Sequence, residues 1–144
     1  MDFPILSQEQ LLSLEPEFIS FLVVHGIDDT LWKKINTDNP DKAQELVRLF
    51  SKLVWEKVCD NTKVLKRISE KEMIFVHLEA DKGRMVHAQW KNDRWEIHTG
   101  SKALATDRRQ EILHFFQQGF VRASLQELET MRQNISNAPH VSNP

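Results

Sequence analysis

Cysteine is nearly missing from this chain: Cys59 stands alone in 144 residues. One thiol cannot close an internal disulfide, so nothing points to an oxidising compartment. No zinc-type Cys/His spacing surrounds it, and it reads as a small packing residue. Glycine is scarce, at four residues. Neither a Gly-x-Gly-x-x-Gly fingerprint nor a Walker-type loop occurs, and there is no nucleophile elbow. No catalytic or cofactor-binding residue follows from any such motif, and the chain is expected not to be an enzyme. The longest apolar stretch, residues 18–24, is interrupted by Ser20 and is far too short to span a bilayer. The opening Met-Asp-Phe-Pro lacks the basic and apolar regions of a signal peptide, which makes the cytoplasm the expected location.

A basic excess is lacking as well. The formal net charge is -2, whereas phosphate neutralisation drives the affinity of nucleic-acid binders. Residues 1–60 carry six Lys/Arg against eleven Asp/Glu, and residues 61–144 carry thirteen against ten. That asymmetry suggests a weakly basic C-terminal face or complementary surfaces in an oligomer.

What is present is the material of one ordinary core: 40% hydrophobic and 28% charged residues, with both signs interspersed. A single domain is expected over 1–136, with 137–144 polar, aperiodic and disordered. Ser7 to Gln10 reads as a capping box, with Leu6 and Leu11 at the staple positions, so a helix starts near Gln8. Pro16 predicts a break near Leu14 and a second helix running to His25, stopped by Gly26. Asp28 caps a short helix through Leu31, Trp32 and Ile35. Asn39-Pro40 opens the strongest helix, with Ala43, Leu46, Val47, Phe50, Leu53, Val54 and Val58 at helical spacing. Residues 63–68 are expected to form a short helical turn.

The period then changes from 3.6 to 2. Strands are expected over 73–79, 84–90 and 94–99, joined by turns at 80–83 and 91–93. A bulge with Gly83 in the left-handed region and a two-residue turn at Asn92-Asp93 would place Ile74, Val76, Leu78, Val86, Ala88, Trp90, Trp95 and Ile97 on one apolar face. Thr106-Asp107 caps a last helix carrying Ile112, Leu113, Phe116, Phe120, Leu125, Leu128 and Ile135. Gly119 and the second capping box at Ser124 to Glu127 leave open whether that helix is continuous.

The same register aligns His77 with His87 and His87 with His98 across the opposite face. Three neutral imidazoles with an open position suit zinc, and Glu79 or Glu96 could orient a ligand or act as base. A half-solvated sheet face also tolerates His, Glu, Gln and Arg without any function, and that reading outweighs the metal one. Met73, Phe75 and Met85 share this face, so a helix or a partner chain is expected to cover part of it. His25 and His114 read as capping or surface residues, and Trp32 and Trp55 as core. Residues 18–39 invite a helix-turn-helix comparison through Lys33 and Lys34, but Asp28, Asp29 and Asp38 flank the element and would repel phosphate.

The runs Glu17 to Leu22, Gly26-Ile27, Trp32 to Ile35, Leu49 to Val58 and Ile74 to Glu79 resemble a small uncharacterised family of Bacteroidetes-type bacteria, over roughly residues 8–88. The resemblance implies a bacterial cytoplasmic origin. It supplies no activity and no catalytic residues.

The expected fold is therefore α+β: an N-terminal helical layer, a three-stranded antiparallel meander and a C-terminal helix. The leading functional expectation is a non-catalytic protein-interaction or regulatory module with an unknown protein partner, and a homodimer is a reasonable default. A zinc-binding protein or metal-dependent enzyme using His77, His87 and His98 is the alternative. DNA binding through residues 27–39 is the second alternative.

Overall fold

The computed structural model describes residues 3–104 and 107–134. The chain divides into two compact units, Met1–Val58 and Cys59–Pro144. Among the described residues, six helices and one five-stranded antiparallel sheet make an α+β fold.

The N-terminal unit is helical. Helix α1, Gln8–Ser13, begins with the expected capping box: Ser7 Oγ accepts from the Gln10 amide at 3.1 Å, and Gln10 Oε1 accepts from the Ser7 amide at 2.9 Å. The break falls at Leu14, after which α2, Glu15–Val24, carries Pro16 in its first turn. Gly26 ends α2 with φ 74°, a conformation that only glycine adopts without strain. Helix α3, Asp29–Asp38, starts where Asp28 caps the Leu31 amide at 2.8 Å. Helix α4, Pro40–Asn61, starts where Asn39 Oδ1 accepts from the Lys42 amide at 3.2 Å. One cluster holds these helices together. Leu6, Phe21, Leu22, Ile27, Leu46 and Phe50 are buried, with Phe18, Trp32, Val54 and Trp55 packed against them.

In the C-terminal unit the strands are β1 Val64–Ser69, β2 Glu72–Leu78, β3 Lys82–Lys91, β4 Arg94–Ala103 and β5 Val121–Ala123, in the order β4-β3-β2-β1-β5. The helical turn expected over 63–68 is therefore replaced by strand β1. Only Val64 and Leu65 of β1 are buried, and the remainder of the strand runs out of the core. With no sustained alternation it lacked the period that marks a strand. The last helical region is interrupted. Helix α5, Arg108–Gln117, is capped by Asp107 and stopped by Gly119 at φ 89°. β5 follows, and then α6, Leu125–Asn134, opens with a reciprocal Ser124–Glu127 capping box. Thr106, Ile135 and the tail expected from 137 lie outside the described residues.

The hairpin at Asn92-Asp93 is as expected, with φ 53° and 61° and Trp90 paired to Trp95. Their rings meet edge to face at 5.5 Å. The hairpin before it differs. Gly83 is not left-handed; it pairs with Leu78 inside the ladder, and the turn is Ala80-Asp81, closed by the Glu79 amide on Lys82 O at 2.8 Å. The β2–β3 register therefore shifts by an odd number of residues, which moves β2's side chains to the other face relative to β3. The single apolar face divides in two. Met73 and Phe75 join Val86, Ala88 and Ile97 beneath Leu128 and Met131 of α6. Ile74, Val76 and Leu78 face the other way. There Glu111 and Phe115 of α5 line a cavity with Val76 and Met85. The sheet is thus covered on both sides, and β2 is apolar at successive positions for that reason.

Candidate functional site

The histidine row does not form. His77 pairs with Arg84, on the α6 face. His87 pairs with Ile74 on one side and with His98 on the other, on the α5 face. The rings of His87 and His98 are 6.4 Å apart. Among the described residues no group of three His, Cys, Asp or Glu side chains is arranged to hold a metal ion. The β3–β4 half of the expected row is correct because its turn was read correctly. The His77 half fails with the turn at Ala80-Asp81.

In place of the row, the strands assemble a polar network. Glu72 Oε2 lies 2.9 Å from His87 Nε2 and accepts from Gln89 Nε2 at 3.4 Å, while Arg67 comes within 3.8 Å of Oε1. A carboxylate only accepts, so Nε2 is the donor of that hydrogen bond. The His87 hydrogen bond holds the Glu72 carboxyl below the ordinary glutamate range, with help from Gln89 and Arg67. These groups are partly exposed and cross-brace β1, β2 and β3. Sequence reading missed Glu72, because it lies diagonal to His87 and its partnership depends on the true register.

Two other acidic groups follow the same logic. Asp60 is lowered by its hydrogen bonds from the Arg109 guanidinium, at 2.8 and 2.7 Å. Glu127 is lowered by Lys66 and by the Ser124 amide. Burial raises the Cys59 thiol, with Asp60 adding to the effect, so the sulfur is the neutral packing group that its sequence context suggested. His25 Nδ1 contacts Phe21 O at 2.9 Å at the end of α2, and His114 contacts Gln118. Trp32 and Trp55 pack on the N-terminal cluster. In α3, Lys33 is paired with Asp29 at 3.1 Å.

The most unusual surface lies on the N-terminal unit. Helix α2 buries Phe21 and Leu22, yet Ile19, Val23 and Val24 are 51%, 62% and 83% exposed. Leu12 of α1 is 71% exposed. Ile19 and Val23 are four residues apart and so adjacent on the helix surface. A surface helix normally turns charged or polar residues outward, and this one turns branched aliphatic residues outward instead. The sequence on either side of it is acidic. Residues 1–32 contain six Asp/Glu and no Lys or Arg, and the exposed Glu15 and Glu17 stand in the first turn of α2.

A family model described as a family of unknown function, DUF6495, matches residues 1–93. No curated protein and no solved structure matches the chain. Among the described residues, no helix is long and apolar enough to cross a membrane.

Proposed function

The chain belongs to that family of unknown function, and from this premise we propose that it is a non-catalytic protein-interaction module whose docking surface is the outer face of α2. The observation that carries the reading is the exposure of Ile19, Val23 and Val24 on a helix whose other side builds the core. Exposed aliphatic groups gathered on one element mark recognition surfaces more than scattered ones do.

The partner is an amphipathic helix with a basic flank. Its apolar stripe would cover Ile19 and Val23, and its Lys or Arg residues would meet Glu15, Glu17 and the rest of an N-terminal segment that has no positive side chain. A second copy presenting the same face would bring like charges together, which favours a different partner over a two-fold dimer through α2. The same acidic charge opposes a phosphate backbone and so speaks against DNA as ligand. The resemblance and the lone thiol favour a bacterial cytoplasmic setting.

The test is titration with two synthetic 18-residue helical peptides of identical Leu stripe, one flanked by Lys and the other by Glu. The Lys peptide is expected to bind saturably, to weaken as salt rises, and to lose at least tenfold in affinity to Val23→Asp. Equal binding of the Glu peptide, or a Val23→Asp protein that binds as well as the parent, would overturn the proposal. Self-association in place of peptide binding would identify a second copy as the occupant and equally overturn it.

A further inference from the structure

Between β3, β4 and α5 lies a cavity of about 190 Å³. Val76, Met85, Leu104 and Phe115 form apolar walls, and Gly83 and Gly100 form the strand side. The two glycines differ. A Cβ at Gly83 would meet Val76 Cγ1 at 3.4 Å, whereas one at Gly100 would meet nothing within 4 Å. The space therefore stands over Gly100, and any side chain placed there would project into it.

Ser101, Lys102 and the carboxylate of Glu111 interrupt the apolar lining. Glu111 has only 19% of its side chain exposed, and Lys102 Nζ pairs with it at 4.0 Å, the outer limit of an ion pair. Lys102 is itself 79% exposed and well hydrated, so that pair contributes little. A mostly buried carboxylate gains more from a close, desolvated cation than from a distant solvated one. An enclosed apolar cavity of about 150 Å³ accepts a six-carbon ring, so this pocket, which is partly open to solvent, has room for a hydrocarbon of about six to eight carbons.

We propose that this cavity binds a small apolar primary amine, with its hydrocarbon over Gly100 and its ammonium on Glu111. The cavity belongs to the C-terminal unit and owes nothing to the α2 surface.

The probe is n-hexylammonium, titrated into the full chain by calorimetry and by amide NMR, with hexan-1-ol and hexanoate as controls. Saturable one-to-one binding is expected, with shifts at Gly83, Gly100 and Phe115. Glu111→Gln keeps the shape and removes the charge, and it should weaken binding at least tenfold. Gly100→Leu should abolish binding while thermal unfolding stays close to that of the parent. If Gly100→Leu fails to fold, the Glu111→Gln comparison still decides. Hexan-1-ol binding as tightly as hexylammonium, an unchanged Glu111→Gln, or no saturable binding by the parent would each overturn the assignment.

Discussion

The two units spend their apolar residues differently. In the C-terminal unit, Val64, Leu65 and Ile112 are fully buried, and both faces of the sheet are covered, by α5 and by α6. In the N-terminal unit, one aromatic cluster is enclosed while α2 leaves three aliphatic side chains in water. The comparison separates two uses of hydrophobicity. The layered sheet turns most of it into cohesion, with Ile68, Val121 and Leu125 left about half exposed. A helical layer with one core-facing stripe can keep some for an incoming partner.

The largest test of this contrast is truncation in the sheet. Leu65→Ala should cost about 2–5 kcal/mol, because it empties a site with no exposure. Urea unfolding read through Trp90 and Trp95, with Trp32 and Trp55 replaced by Phe, measures it. A loss below about 1 kcal/mol would mean that the C-terminal unit is not the cohesive one. Next come the caps, one capping box in each unit. Ser7→Ala and Ser124→Ala should each cost about 1 kcal/mol, measurable as separate shifts in thermal midpoint. Unequal losses would show which helix start its unit depends on.

Acidity should distinguish the units as well. Among the described residues, the three carboxylates held below their ordinary range, Asp60, Glu72 and Glu127, all belong to the C-terminal unit. A carboxyl depressed in the folded state contributes stability that is complete above its unfolded pKa, about 4.3 for glutamate. That contribution is lost as pH falls through the lower folded value. Urea midpoints between pH 7 and pH 2 should therefore fall on the acid side of about pH 4 when followed by Trp90 and Trp95. Glu72→Gln should flatten part of that fall, and an unaltered profile would remove the Glu72–His87 pair from the account. The smallest effect is expected at Val23. Val23→Asp should change stability by less than about 0.5 kcal/mol, since the side chain already meets water. A larger loss would show that α2's outer face is structural.

Legibility in the sequence followed the same division. Three of the four helix starts in the N-terminal unit were readable from their caps, because Ser7, Asp28 and Asn39 act on amides three residues away, and the fourth was readable from Pro16. So was the Asn92-Asp93 turn, whereas Gly119 and the Ser124–Glu127 box left open whether the last helix was continuous. The β2–β3 register was not. Residues 73–76 are apolar at both parities because both faces are covered, so an apolar face could be assembled from either. His77 was lost from its row through that ambiguity. β5 was invisible because three residues carry no period, and Glu111 because nothing local distinguishes a carboxylate beside a cavity from one in water. The exposed stripe of α2 was hidden by its composition: an apolar run reads as core until its surroundings are known.

The short strand β5 also bears on the order in which the sheet closes. Strands β1 to β4 form a meander whose hairpin turns are two residues long, so their pairing needs only local search on the microsecond scale. The rung joining Lys66 to Val121 needs the whole meander and α5 to be threaded first. Its closure entropy grows with that separation and is rewarded by only three residue pairs. The β1–β5 seam is thus the last to zip and the first to open, and the amides of Val121–Ala123 should exchange with solvent ahead of those in the meander.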